Sequence, residues 1–510
     1  MTPARTKRLT LAAAILGSGI ALIDGTIVSV ALPTIQRSLG GGLAGQQWVS
    51  SAYLLTLGSL ILVGGSLGDI FGERRVFALG VAGFGLASLL CALAPTIGLL
   101  AVARGVQGVT GALLTPSSLA VIVATFPDDQ RGAAIGTWTA FGAIASVIGP
   151  LAGGELLALA SWRWLFLINL PFVVTTLALI LAVIPRAEIP RLDRRRVDLP
   201  GAALCAAGLA GVVFSLIEAP RLGWRDPAII VSLLGGALLF CGFLLRERLA
   251  RDPMLPLSLF RRRNFAAANV ETLIVYGALG VFFFFLVLYL QQVAGYSPLH
   301  SGLALLPITV VLFLLSRRVG GLSARVGPRL FMSIGPLLAS AGLLLALRIG
   351  RSPGYFSELL PAVGVFALGL SLTVAPLTTT VLAGVESERA GIASAVNNAV
   401  ARVASLLATA GIGALVAAHF GATLHARLHG VVLGAHARAA VDVAQRLVLG
   451  RPAVAGLPPS QGRAILRAAD AASLSSFHLG VVIAASMLAL GALVGLAGIR
   501  NPPAAATSHP

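Results

Sequence analysis

The chain has 510 residues, 57% of them hydrophobic and 11% charged, with a formal net charge of +18 and a mean hydropathy of +0.92. Soluble domains carry about 25% charged residues, so the composition excludes a soluble enzyme or nucleic-acid-binding protein. The arginine excess must be read by position along a membrane chain, not as a nucleic-acid footprint.

The N-terminus, residues 1–9, carries Arg5, Lys7 and Arg8 ahead of a long apolar run. The run is too long for a signal peptide and no small-residue cleavage site follows it, so it reads as a retained first transmembrane helix. Within it the stretch Leu22–Pro33 places Asp24 near mid-membrane. A charge at that depth costs about 3 kcal/mol on insertion scales, so Asp24 needs a function or a partner.

A spanning helix needs about 20 apolar residues. Fourteen runs qualify, near 10–33, 48–68, 77–96, 98–122, 132–157, 164–184, 200–218, 228–246, 267–291, 301–319, 330–348, 358–383, 391–418 and 477–499. With the N-terminus cytoplasmic, 23 of the 37 Lys and Arg fall in cytoplasmic segments and 6 in short outer loops. That bias places both termini, 1–9 and 500–510, in the cytoplasm. The clusters Arg194–Arg196 and Arg261–Arg263 are topology determinants. Arg104 and Arg402 fall inside spans. Cys91, Cys205 and Cys241 sit in apolar runs and imply neither a disulfide framework nor a metal cluster.

The chain repeats itself. Gly65-Ser66-Leu67-Gly68-Asp69-Ile70-Phe71-Gly72-Glu73-Arg74-Arg75 follows span 2, and Gly320–Arg329 follows span 10. Shifted by 255 residues, Gly65 meets Gly320, Gly72 meets Gly327 and Arg74 meets Arg329, while Asp69 meets Ala324. Parallel repeats around a central substrate site are a transporter architecture. The offset leaves two extra spans between six-span halves. The expected organisation is a half over 10–184, a linker over 185–266 holding extra helices at about 200–218 and 228–246, and a half over 267–499. The second half includes a long outer loop, about 419–476, read as short surface helices broken at Gly456–Pro459.

These motifs resemble the major facilitator superfamily, specifically its fourteen-span drug:proton antiporters. The Gly65–Arg75 loop resembles the superfamily signature G-x-L-x-D-x-x-G-x-R-R/K. Arg104–Ala112 is similar to R-x-x-Q-G-x-G-x-A, with Thr110 at a glycine position. Gly136, Gly149, Pro150 and Gly153 resemble the antiporter motif G-x8-G-x3-G-P-x2-G, with Ala145 for the middle glycine. Leu22–Pro33 resembles L-D-x-T-[IV]-[VI]-N-[VI]-A-L-P, with Ser29 for asparagine, and Trp162–Pro171 also resembles this family. The resemblance implies the major facilitator fold: two six-helix halves plus two inserted central helices.

The candidate chemistry follows. A carboxyl removed from water is more readily protonated, which suits Asp24 to proton exchange; the alternative is a structural hydrogen bond to Thr26 or a neighbouring helix. By resemblance Arg104 tunes the proton site, with Gln107 one turn on along the same face. Gly65, Asp69, Gly72, Arg74 and Arg75 form a cytoplasmic gating loop. Pro150 kinks span 5 and its glycines admit a close neighbour. Glu155, Asn398 and Arg402 are further candidates for the substrate or proton path. Glu271 is read as an interfacial partner of Arg261–Arg263 or a path residue. Phe282–Phe285, with Tyr276 and Tyr289, could line a cavity, but four consecutive residues cover all sides of a helix, so most must face lipid or core; Gln291-Gln292 is a polar-mouth candidate. His425 and His429 have a metal-like i, i+4 spacing, but no acid or cysteine lies near in sequence, so no metal is assigned.

The expectation is a monomeric exporter in the cytoplasmic (inner) membrane, in contact with the lipid bilayer, whose partners are small-molecule substrate and protons, with no cofactor and no nucleic acid. It is expected to exchange hydrophobic or cationic compounds for protons. No G-x4-G-K-[ST] segment for ATP is present, so an ion gradient supplies the energy. The alternatives are a dedicated exporter of one endogenous product, an uptake permease, and a non-transporting receptor.

Overall fold

The computed structural model describes residues 3–184, 197–250, 253–383, 385–386 and 390–501. It is helical throughout those residues. The first half holds α1 (Pro3–Leu39), α2 (Gly42–Phe71), α3 (Glu73–Leu93), α4 (Ile97–Thr125) and α5 (Asp128–Leu159), then the short α6 (Trp164–Leu167) running into α7 (Asn169–Val183). Between the halves lie α8 (Leu199–Leu222) and α9 (Pro227–Leu249). The second half holds α10 (Arg263–Gln292), α11 (Pro298–Val326), α12 (Pro328–Leu345), α13 (Leu360–Leu382), α14 (Ala390–Leu428), α15 (Ala435–Leu447) and α16 (Pro459–Gly498).

Thirteen of the described helices, with α6 and α7 taken as one, are long and apolar enough to cross a membrane. The fourteenth predicted span is α5, a 32-residue helix whose short apolar stretch is Ile148–Leu159. Several of its side chains lie outside the described residues.

The repeat is visible in the backbone. Gly72, with φ 86°, ends α2 and starts α3; Gly327, with φ 100°, ends α11 and starts α12. Both conformations favour glycine. Arg74 donates to the Leu181 carbonyl of α7 (2.8 Å), and Arg329 donates to the Leu496 carbonyl of α16 (2.8 Å). Each arginine ties the start of one helix to the end of the last helix of its half. The Asp69 side chain, Arg194–Arg196 and the tail beyond Asn501 lie outside the described residues.

Helix pairing repeats as well. In the first half α1 packs on α5 and α7, and α2 on α4; in the second α10 packs on α14 and α16, and α11 on α13. Across the halves α2 meets α14 and α5 meets α11, a reciprocal arrangement. Glycines allow the close approach, because association of helices in lipid depends on packing and not on apolar burial. A Cβ on Gly302 would sit 2.9 Å from the Pro150 carbonyl oxygen, and one on Gly154 would sit 2.7 Å from the Leu299 amide nitrogen. Away from this contact, Gly132, Gly136 and Thr137 of α5 and Arg317, Arg318 and Leu322 of α11 are exposed.

The two inserted helices form a hairpin. α8 packs across α2 and α14, at the seam between halves, and α9 leans on α8. The stretch expected as surface helices is instead continuous with the bundle. α14 runs on to Leu428, α16 begins at Pro459, and Leu424, Val441 and Ile465 join the main core. Burial of an amphipathic face carries a helix past the end of its apolar run.

Cys91 and Cys205 are buried, but Cys241 on α9 is exposed, because α9 is covered on one side only.

The α8–α9 hairpin depends on Gly208 and Gly236: a Cβ on Gly236 would lie 2.7 Å from Val212 N and 2.8 Å from Gly208 O. Gly236→Leu should destabilise the detergent-purified protein by about 1–3 kcal/mol through overpacking. Gly235→Ala, where nothing lies within 4 Å, should leave its thermal unfolding unchanged.

Candidate functional site

Asp24 is fully buried on α1, and Arg104 of α4 is its ion-pair partner. Thr26 does not touch the carboxylate: its hydroxyl donates to its own helix, at Leu22 O (3.1 Å) and Ile23 O (3.0 Å).

The α2–α4 crossing positions the arginine. Gly108 of α4 faces the backbone of Tyr53 and Leu57, and Thr56 donates to Gly105 O at 2.7 Å. Thr110, which departs from the expected glycine, is accommodated by Gly83 of α3, where a Cβ would lie 2.6 Å from Thr110 Cγ2. With α4 so held, Arg104 donates through Nη1 to Asp24 and to Gln107 Oε1 (2.6 Å), and through Nε to Val49 O (3.2 Å). Its guanidinium carbon lies 4.4 Å from the Tyr53 ring centroid, an added cation–π contact.

Gln107 completes the network. It accepts from Arg104 while its amide donates to Asp24 Oδ1 (2.9 Å) and Ser88 (2.9 Å). Asn169, the first residue of α7, donates to Asp24 Oδ1 (3.2 Å) and Ser88 (3.2 Å). Three helices of the first half therefore meet at one carboxylate, and Ser88 of α3 joins the network through Gln107 and Asn169. Asn169 and Ser88 were not singled out as site residues; Asn169 lies within the quoted Trp162–Pro171 stretch, whereas nothing in the sequence marks Ser88 or Tyr53.

One face of Arg104 borders a cavity of about 230 Å³. Gly25, Ser29, Ser50 and Tyr53 line it from the first half, and Arg402 of α14 lines it from the second. Its charged lining residues are Arg104 and Arg402. Drug-sized pockets run roughly 300–1,000 Å³, so a larger ligand needs the halves to part.

The remaining candidates divide by location. Gly149, Pro150 and Gly153 lie where α5 crosses α1 and α11: a Cβ on Gly149 would lie 3.1 Å from Thr26 Cβ, and one on Gly153 2.5 Å from Ile27 Cγ1. Gly136 touches nothing within 4 Å. Gly65 lies against Pro116 of α4, and Arg75 and Glu155 are exposed. Asn398 is exposed and bonds to its own helix at Ser394 O (3.0 Å); Asn397 is the bridging residue, donating to Thr272 of α10 at 2.7 Å.

One expectation is corrected. Glu271 is not an interfacial partner of Arg261–Arg263. It is fully buried with neither oxygen bonded, Arg262 lies 3.6 Å from Glu386, and Arg263 caps α16. The Phe282–Phe285 run packs into the second half's core, with Phe282 4.8 Å from the Phe366 ring. Gln291 donates to Val30 O of α1 (2.9 Å), tying the halves together. His425 bonds Gln445, and the described residues hold no cluster of three metal-binding side chains.

Residues 14–409 match the family model described as the Major Facilitator Superfamily. The chain is 34% identical to the multidrug resistance protein Stp of Mycobacterium tuberculosis, over 96% of this chain and 92% of that one. It is 37% identical to the puromycin resistance protein pur8 of Streptomyces alboniger, over 77% and 78%, and 34% identical to a tetracenomycin C resistance and export protein of Streptomyces glaucescens, over 81% and 76%. Among solved structures, an inward-facing, unoccupied bacterial homologue of the human lysosomal transporter Spinster superposes with a TM-score of 0.63 at 18% identity, covering 98% of this chain and 99% of that one.

Removing one partner of a buried pair strands the other charge, at about 3–5 kcal/mol. Asp24→Asn and Arg104→Gln should each lower folded yield and thermal stability in detergent. The double variant should recover much of that loss; a double variant no better than the singles would mean that the pair's charges are not what the fold depends on.

Proposed function

The chain belongs to the Major Facilitator Superfamily, and from that premise we propose that it exports drug-like small molecules in exchange for protons. The observation that carries this reading is a buried carboxylate, Asp24, locked to Arg104 at the wall of a cavity lined by both halves. Alternating access needs one group whose charge changes as the cavity changes sides. Protonating Asp24 removes the counter-charge from Arg104. The guanidinium, already facing the cavity, then has reason to turn towards it, and the site's affinity for ligand changes.

The α1–α5–α11 contact around Pro150 and Gly154 is the seal at one end of the cavity. With both termini cytoplasmic, that end is the outer one, and the exposed stretches of α5 and α11 face the cytoplasm. Substrate enters from the cytoplasm or inner leaflet and leaves after the seal parts. The membrane is the cytoplasmic membrane, and the transporting unit is the monomer.

Of the hydrophobic and cationic classes, this lining favours neutral lipophiles that offer carbonyl or hydroxyl acceptors. Arg104 and Arg402 repel a cation while their charges face the cavity. A second reading, a dedicated exporter of one product, is favoured by relatives named for single compounds, puromycin and tetracenomycin C.

The test uses everted membrane vesicles with a preset pH gradient, to which neutral lipophilic drugs and lipophilic cations are added singly. Several unrelated compounds should evoke proton efflux from wild-type vesicles, and Asp24→Asn should abolish it. A response to one compound alone favours the dedicated exporter. Equal responses from both proteins would leave Asp24 a structural residue.

A further inference from the structure

Glu271 sits on α10 with no exposed surface, and neither carboxyl oxygen has a hydrogen-bond partner among the described residues. Its surroundings are apolar. Ala268 and Val275 flank it on its own helix, and Met332 of α12 and Gly495 of α16 close the other sides. Oε2 lies 3.2 Å from the point where a Cβ on Gly495 would sit, and the Met332 carbonyl oxygen borders the same point.

That carbonyl lacks its usual donor. In an α-helix a residue accepts from the amide four positions on. For Met332 that position is Pro336, which has no N–H. An acid group and a carbonyl short of a donor therefore both lie against the Gly495 backbone. A neutral Glu271 can donate its O–H there after a change of rotamer. An ionised Glu271 finds no partner, and an unpaired buried charge costs several kcal/mol even after relaxation.

Cations stand at the ends of the same helices. Arg263, at the start of α10, donates to Ala497 O (2.6 Å) and Gly498 O (2.9 Å); Arg329, at the start of α12, donates to Leu496 O (2.8 Å). Both clamp the last turn of α16. That turn carries no charged side chain, and α14 faces α10 with the neutral Asn397.

We propose that Glu271 is a second proton-carrying site, in the C-terminal half, which keeps its proton while α10, α12 and α16 are packed as here. It releases the proton when the last turn of α16 moves away, and Arg263 or Arg329, freed from that turn, takes the carboxylate. The two halves then hold protons differently: Asp24 exchanges a proton for an arginine, whereas Glu271 exchanges a dry acid for an opened helix end. This rests on the proton-coupled export reading above.

Two measurements test it. Dicyclohexylcarbodiimide reacts with protonated carboxyls in apolar surroundings, so full-length protein in membranes is treated and its peptides are mapped by mass spectrometry. Glu271 should carry the adduct, ion-paired Asp24 should not, and Glu271→Gln should lose it. Absence of the adduct from Glu271 in folded protein would overturn the proposal, and that result needs no variant to fold. In vesicles, Glu271→Gln should still move substrate down a preset substrate gradient, with about half the wild-type number of protons per substrate, as expected if one of two intramembrane carriers is gone. Glu271→Asp should restore the ratio. An unaltered ratio in Glu271→Gln would overturn the proposal alone. Substrate movement without proton flux in the wild type would overturn the export reading, and the role of Glu271 with it.

Discussion

The first half of the molecule is organised by one ion pair that cannot be half made. Asp24 and Arg104 are each at most 1% exposed, at a depth where either charge alone is costly. Together with Gln107, Asn169 and Ser88 they form a satisfied polar cluster in an otherwise apolar bundle. Such clusters stabilise when complete and penalise when broken. The same cluster fixes α1, α3, α4 and α7 against each other.

The halves touch through reciprocal pairs, α2 with α14 and α5 with α11. Small residues make these contacts close, and Pro150 of α5 packs against Gly302. Arg402 enters the cavity from the second half opposite Arg104.

The second half is built differently around its own buried acid. It has no counterpart of the Asp24–Arg104 pair among the described residues. Instead Glu271 lies dry against Gly495 and Met332, and Asn397 binds α10 to α14 through Thr272. The inserted α8–α9 hairpin, unreadable in role from its sequence, lies on the seam formed by α2 and α14. That placement covers one side of the α2–α14 contact.

What the sequence settled by itself was whatever depends on local composition and on charge counted along the chain. Apolar runs of spanning length gave the helices, the 255-residue offset gave the duplication, and Asp24 and Arg104 stood out because an intramembrane charge requires a reason. The helix-breaking glycines at Gly72 and Gly327 were legible as repeat landmarks, since a positive φ makes the same demand wherever it occurs. Whatever depends on which faces of distant helices meet was decided by tertiary structure. Nothing in linear spacing says that Asn169, 145 residues away, donates to Asp24. Linear proximity to Arg261–Arg263 suggested a partner for Glu271, but the helix turns its carboxyl inward, towards α12 and α16. The run Phe282–Phe285 could line a cavity or fill a core, and only the position of Phe366 chose the core. A span's sequence fixes that it crosses the membrane; its rotation about its own axis is set by its neighbours, and that rotation decides whether a polar side chain meets a partner, a cavity or nothing.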